Sequence, residues 1–348
     1  MISLTCAQFY PSMQIQQNIS LRQFNTFGID VAARYFASFT NDEELAELLK
    51  PDSTLKTLVL GGGSNILFTK TFDGLILKND TKGIELIKED SHYVYVKAGA
   101  GENWHQFVQY CLQRNWQGIE NLSLIPGNVG ASPMQNIGAY GVELKDVFYE
   151  LEAFQVKERK VRAFSVNDCA FGYRESVFKN KFKDQFIILN VTFRLNKVPK
   201  YNTSYGAVEE ELAQMGVKEI TAKNISLAVM NIRRSKLPDP AKIGNAGSFF
   251  KNVFVPAARF DELKKKFPAI GGFKKEDGTM KIAAGWLIEQ CGWKGYRKGD
   301  AGCYAQQALV LVNYGNANGK QIYELSQEIV QSVQKKFGIR LEREVNVE

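Results

Sequence analysis

The stretch that most limits how this chain can fold is LIPGNVGASPMQNIGAYGVEL, residues 124–144, with four glycines and two prolines. No helical or strand period runs through it, so a compact domain has to carry it as a loop. Loops of this length without regular structure are uncommon and are often functional. This one offers backbone donors together with Ser132, Gln135 and Asn136. A second glycine cluster, GGGSN (61–65), follows the buried-strand pattern TLVL (57–60) directly. Glycine lets a backbone approach a phosphate closely and aim N–H groups at it. GGGSN is not a Walker loop, because no GK[ST] follows. A Rossmann fingerprint would need glycine at Ile66 and a helix behind it, whereas ILF and GLILK read as strands. Taken alone, GGGSN is equally a tight turn between strands. Two such loops in one strand-rich region point to a large ligand carrying a pyrophosphate.

The surrounding pattern is α+β. TNDEELAELLK (40–50) reads as a helix, with Thr40 and Glu43 spaced as a capping box. HYVYVKA (92–98), VFYELEAFQV, KVRAF and FIILNVTFRL (186–195) read as strands, and NWHQFVQYCLQRNW (103–116) as a helix. Residues 1–22 read as an irregular lead-in, and the polar NKVPKYNTSYG (196–206) as a domain boundary. Beyond it, helical spacing dominates 209–234, AAGWLIEQCG and GKQIYELSQEIVQSVQKKFG, while ALVLV and the terminal IRLEREVNVE read as strands. Mixed strands and helices without steady βαβ alternation argue α+β.

Composition excludes several alternatives. Of 348 residues, 45% are hydrophobic and 23% charged, as in an ordinary globular protein. The net charge of +7 is scattered, and runs such as LKKKFP read as solvated helix faces, so no nucleic-acid partner is expected. Five cysteines (Cys6, Cys111, Cys169, Cys291, Cys303) form no CxxC pair, which fits neither a disulfide framework nor a metal site. The first cationic residue is Arg22, so no signal peptide is read, and no apolar run reaches membrane-spanning length. A cytoplasmic protein without a membrane partner is the expectation, and a monomer. GNAGSFFKN (244–252) displays Ser248 among small residues. Only His92 and His105 could serve as its base, and neither has an evident carboxylate partner in sequence.

GGGSN, IPGNVGASPMQNIGAYGVEL, FGYRES, KLPDP, GNAGSFFKN, AAGWLIEQCG, QQALVLVN and LEREV occur in the order and approximate spacing of one family. Over about residues 25–345 the chain resembles the UDP-N-acetylenolpyruvoylglucosamine reductases (MurB), in their larger subclass with a lid loop. The resemblance implies an FAD-binding α+β domain of the vanillyl-alcohol-oxidase-like (PCMH-type) fold over 23–196. It also implies a smaller α+β substrate-binding domain over 204–330, and a C-terminal segment, 331–348, returning to the active site. FAD is implied as bound cofactor and NADPH as co-substrate. The implied reaction reduces the enolpyruvyl group of a UDP-sugar to give UDP-N-acetylmuramate, a step of peptidoglycan synthesis. A related FAD-dependent oxidase of the same fold is the alternative, and a non-enzymatic nucleotide-binding module a third reading.

Residue roles carry over by motif. Gly61, Gly62, Gly63, Ser64, Asn65, Pro126, Gly127, Gly130, Ser132, Gln135, Asn136, Gly138 and Tyr140 are implied as FAD-binding. Tyr173, Tyr205, Lys236, Asn252, Lys294 and Gln307 are implied as substrate-binding. Arg174 matches the arginine facing the substrate carboxylate, for which a guanidinium offers a rigid fork. Glu344 matches the catalytic glutamate. Ionised, it would repel an enolate, so a protonated acid and a hydrogen-bonded carboxylate beside Arg174 both stay open. Ser248 matches the proton donor; an enolate carbon is basic enough to take a proton from a weak acid. The family's lid tyrosine aligns with Phe273, which cannot donate a hydroxyl, leaving a lysine such as Lys274 to replace the contact.

Overall fold

Phe72–Asn79 is buried along almost its whole length, as a strand covered on both faces must be. It is a central strand of a four-stranded sheet. Ala32–Phe39 and Thr57–Leu60 flank it in parallel, and Gln16–Ser20 joins the far edge antiparallel to Ala32–Phe39. The computed structural model describes residues 14–49 and 55–348. A second, five-stranded antiparallel sheet runs in the order Lys160–Ser165, Phe148–Gln155, Phe186–Asn196, Tyr93–Gly99, Ile84–Glu89. The helix Trp104–Gln113 lies on it, started by Asn103, whose side chain accepts the Gln106 N–H. Trp104, Phe107 and Phe193 stack there with ring centres 4.8–5.9 Å apart.

Past residue 206 the chain forms helices Gly206–Gln214 and Ala222–Lys236, then two small sheets, the helix Ala284–Gln290 and the long helix Gly319–Phe337. The main sheet of this half pairs Gly244–Ser248 with Val310–Asn313 and continues through Ala301–Cys303. Phe249 and Phe250 are fully buried behind Ser248. The same core takes in Phe27, Ile29 and Leu67 from the first half. Asn245 donates its amide to the Thr26 carbonyl at 3.0 Å, and the Asn313 side chain donates to the Phe27 carbonyl at 3.0 Å. A Cβ on Gly244 would stand 2.2 Å from the Phe27 oxygen, so this approach requires glycine. The two halves therefore share one core rather than meeting across a linker.

Several sequence expectations are revised. Of the lead-in, residues 1–13 lie outside the described residues, as does Cys6, while Gln16–Ser20 is a strand that closes a sheet edge. The first helix is capped one residue later than its spacing suggests. Asn41 caps Glu44, whose carboxylate reaches back to the Thr40 amide at 2.8 Å. Helical spacing over 209–234 divides at Gly216, held at φ +66°. IRLEREVNVE is an extended tail with one short strand, Asn346–Val347, parallel to Ile66–Leu67. The division expected at 330/331 falls inside the helix Gly319–Phe337.

Gly63 sits at φ +60°, and a Cβ there would meet the Phe24 carbonyl oxygen at 2.0 Å. Gly63→Ala is expected to cost more than ~1 kcal/mol from backbone conformation alone, with the clash in addition. A thermal melt reads this as a lower unfolding midpoint; an unchanged midpoint would show that the Phe24 backbone yields freely.

Candidate active site

The two glycine-rich loops meet. A Cβ on Gly62 would lie 2.9 Å from the Gly127 Cα, and one on Gly127 would lie 2.7 Å from Ser64 Oγ. The amides of Gly62, Gly63, Ser64 and Asn65 donate to no acceptor among the described residues. Consecutive free N–H groups on a turn form a concave site for anionic oxygens. The long loop is built from a 3-10 turn, Val129–Ala131, and a two-residue hairpin, Gly138–Ala139 with Val142–Glu143. The side chains of Ser132 and Asn136, expected as ligand donors, brace this loop. Ser132 donates to the Val129 carbonyl, and the Asn136 amide bonds Glu143 and the Gly172 carbonyl. Gly130 packs on Ala100, where a Cβ would stand 2.5 Å from the alanine methyl.

Arg174 and Glu344 meet at the rim of these loops. Nε of Arg174 lies 2.9 Å from Glu344 Oε1, both side chains being largely buried. The Nε hydrogen is not aimed at that oxygen, so the contact is an ion pair that leaves a buried donor unspent. Nη2 donates to the Gly138 carbonyl at 2.9 Å. Gln135 donates to Glu344 Oε1 at 3.1 Å and accepts from Asn65 at 3.0 Å, so both loops reach the carboxyl. Burial pushes the Glu344 carboxyl up, against the opposing pull of Arg174, Lys179 and Lys251. The Glu344 amide donates to the Phe249 carbonyl at 2.9 Å, which brings Ser248 alongside. The Ser248 hydroxyl makes no hydrogen bond to a described residue.

The remaining residues fall into two groups. Tyr173 lies beside the pair, its ring facing the Phe254 ring at 5.0 Å and Lys281 at 4.9 Å. Burial, then the Arg174 charge, holds the Lys281 ammonium down. Asn252 and Gln307 both converge on the start of Ala284–Gln290. Asn252 Oδ1 accepts the Ala284 amide at 3.1 Å, and Gln307 Oε1 would be 3.0 Å from a Cβ on Gly285. Among the described residues, Tyr205, Lys236 and Lys294 share no hydrogen bond or ion pair with Arg174 or Glu344. Tyr205 faces the Tyr140 ring at 5.4 Å, Lys236 ends a helix exposed, and Lys294 pairs with Glu289 at 3.0 Å. Phe273 is 73% exposed on a hairpin whose other strand carries Lys281. Sequence reading passed over Lys179, Lys251 and Lys281; Lys251 lay inside a quoted motif, and nothing in its pattern separates it from a surface lysine. A cleft of about 480 Å³ lined by Arg22, Gly62, Lys242 and Tyr314 reaches the first glycine loop at Gly62 and includes neither Arg174 nor Glu344.

Residues 33–162 match the family described as FAD binding domain, and residues 239–348 match UDP-N-acetylenolpyruvoylglucosamine reductase, C-terminal domain. The chain is 50% identical over 336 residues to the UDP-N-acetylenolpyruvoylglucosamine reductase of Flavobacterium johnsoniae, covering 96% of this chain and 100% of the relative. The chain belongs to the UDP-N-acetylenolpyruvoylglucosamine reductase family. The reductase of Pseudomonas savastanoi pv. phaseolicola is 48% identical over 338 residues, covering 97% of this chain and 99% of that one. The crystal structure of the reductase from Thermus caldophilus shares the fold, with a TM-score of 0.64 at 24% identity, covering 96% of this chain and 98% of that one. The two N-terminal sheets carry the FAD-binding α+β fold of PCMH type, and both glycine loops lie wholly within the matched FAD domain.

The head of the long loop rests on a titratable side chain. Leu124 sits at φ +59°, its amide donating to His105 Nδ1 at 3.0 Å and its carbonyl accepting from Arg233 Nε at 3.1 Å. Burial, then the Arg234 and Arg233 charges, holds the imidazole below its usual 6.5. As pH falls through about 6.5 the unfolded chain takes up this proton before the folded one does. His105 therefore contributes stability that is present above that pH and lost below it. His105→Asn, which keeps an acceptor and does not titrate, is expected to lose less thermal stability than the parent between neutral pH and pH about 5. Parallel melting curves would refute this by showing equal losses.

Proposed function

We propose that this protein is an NADPH-dependent flavoenzyme that reduces UDP-N-acetylglucosamine enolpyruvate to UDP-N-acetylmuramate in peptidoglycan precursor synthesis. The observation that carries this reading is the buried Arg174–Glu344 pair, set between two abutting glycine loops and the strand bearing Ser248. The four free amides at 62–65 and the Cβ-free contact of Gly62 with Gly127 suit the FAD diphosphate. Residues 61–65 would hold the cofactor, with Pro126, Gly127, Gly130, Gln135, Gly138 and Tyr140. Ser132 and Asn136 would act through the shape of the loop. Residues 23–196 form the cofactor half of this reading and residues from 204 onward the substrate half. We place the reaction in the cytoplasm and expect a monomer without nucleic-acid or membrane partners. Among the described residues no helix is long and apolar enough to cross a membrane, and Cys111, Cys169, Cys291 and Cys303 are free thiols.

FAD held there would supply hydride chemistry at the enolpyruvyl methylene carbon, with NADPH as the reductant. The adjacent carbon then carries negative charge that spreads into the substrate carboxylate. Arg174 meets that carboxylate with a fixed positive charge and an unspent buried donor, stabilisation that requires no reorganisation as charge develops. Burial pushes the Glu344 carboxyl up, so that it takes a proton and leaves the ion pair as the substrate carboxylate replaces it on Arg174, which removes the repulsion an ionised carboxylate would exert. Ser248 holds the proton for carbon, and its hydroxyl is not engaged elsewhere in the described protein. Tyr173, Tyr205, Lys236, Asn252, Lys294 and Gln307 bind the nucleotide sugar, with the Asn252 amide nitrogen left for substrate while its oxygen holds the Ala284 amide.

Anaerobic half-reactions test the assignment. NADPH should bleach the flavin, and the enolpyruvyl UDP-sugar should restore its colour. Ser248→Ala should leave the first step intact and slow the second by about 10²–10⁴-fold, the usual worth of a positioned acid. Equal slowing of both steps would make Ser248 structural. Recolouring by air but not by the UDP-sugar would replace the reading with a flavin oxidase.

A further inference from the structure

Arg174, Ser248 and Glu344 come from three distant segments, and one buried lysine in the Ser248 segment pairs with a glutamate from each of the other two. Lys251 is 8% exposed. Its Nζ lies 2.9 Å from Glu175 Oε1 and 2.6 Å from Glu342 Oε1. Glu175 follows Arg174 directly, Glu342 stands two residues before Glu344, and Lys251 itself stands three after Ser248. The main chain already ties two of these segments, with Lys251 N donating to the Glu342 carbonyl and Glu344 N to the Phe249 carbonyl, each at 2.9 Å. The ammonium adds the third segment. That segment needs an anchor, because Arg174 is held at φ +56°, a left-handed conformation that side chains with a Cβ resist. Glu175 is fixed on its other oxygen by Asn180 at 2.7 Å, and Lys179 donates to the Arg174 carbonyl at 3.3 Å.

We propose that Lys251 is a positioning residue for the reduction of the enolpyruvyl group. Shared between Glu175 and Glu342, its ammonium sets the separation of the Arg174 guanidinium and the Glu344 carboxyl and keeps both in register with Ser248. The proposal rests on the reading of those three residues as the reacting set. A charge enclosed by two carboxylates is more directional than a packed apolar side chain, since displacing it strands a buried ion. Lys251 acts on Glu344 in a second way. With Arg174 and Lys179 it supplies the positive charge that opposes the desolvation of the Glu344 carboxyl, while Glu175 and Glu342 are the acidic groups on the clamp.

The test uses the holoenzyme in anaerobic half-reactions with Lys251→Met, Lys251→Arg, Glu342→Gln and Glu344→Gln. In Lys251→Met, flavin reduction by NADPH is expected at the parent rate. Reoxidation by the enolpyruvyl UDP-sugar should slow by about 10²-fold, the usual loss when reacting groups are displaced by an ångström. Its pH profile should move to higher pH, because a charge favouring ionised Glu344 is gone. Lys251→Arg should recover most of the rate. Glu342 is 71% exposed, so Glu342→Gln should fold even if Lys251→Met does not, and should show the same selective slowing to a smaller degree. Both half-reactions falling together with the melting point, at an unmoved pH profile, would overturn the proposal. So would unaltered reoxidation in Lys251→Met or Glu342→Gln while Glu344→Gln is impaired. Unaltered reoxidation in Glu344→Gln would instead remove the catalytic reading on which the clamp depends.

Discussion

The ion pair between Arg174 and Glu344 sets the terms for the structure around it. Two charges held this far from water are costly unless each finds compensating partners. Arg174 gains the Gly138 carbonyl and Glu344 gains Gln135, which is itself fixed by Asn65. Each of those partners belongs to a glycine-rich loop, so both loops must adopt one conformation for the pair to be tolerated. The loops in turn can approach each other only because Gly62 and Gly127 lack side chains. A constraint that starts at one buried carboxyl therefore reaches the cradle of free amides at 62–65.

The second requirement is that the C-terminal tail return to the N-terminal half. Asn346 donates its amide and its side chain to the Asn65 carbonyl, and Asn346–Val347 pairs with Ile66–Leu67. Phe27, Ile29 and Leu67 enter the core of the second half, and Gly244 admits the Phe27 backbone. With the halves fused in this way, the strand carrying Ser248 and the loop carrying Arg174 are held by shared packing. Rigid elements fix reacting groups more closely than loops can.

How far the sequence revealed this depended on the kind of signal. The strands TLVL, VFYELEAFQV and FIILNVTFRL were legible because burial on a sheet imposes its period on every residue. The long glycine loop was legible as a loop, and its 3-10 turn and short hairpin were not, because such turns are decided by tertiary hydrogen bonds. The tail IRLEREVNVE alternates like a strand, yet only Asn346–Val347 forms one, with Arg343 held to Phe250 by a single bridge, since alternation reports which side is buried and not how far a neighbour runs. The Thr40 capping-box reading slipped by one residue because Asn41 takes the Glu44 amide, while the Thr40 amide and hydroxyl both donate to the Glu44 carboxylate. Among the site residues, the motifs pointed to Arg174, Ser248 and Glu344 through family resemblance. Composition alone would have left all three on the surface.

What no pattern could supply was the difference between a side chain that faces a ligand and one that shapes the wall. Ser132 and Asn136 have the chemistry of ligand donors, but their side chains donate to the protein itself, Ser132 to Val129 and Asn136 to Glu143 and the Gly172 carbonyl. Lys251 has the look of a solvated lysine after two phenylalanines, and it is buried between two carboxylates. Both outcomes follow from one rule: a polar group taken out of water must be paired, and the nearest partner wins. Ser248 lies outside that rule, because it is only half-buried and its hydroxyl is not a buried atom. A half-buried hydroxyl that is held on a strand and spent on no described residue stays available to a substrate, which is what a proton donor to carbon requires.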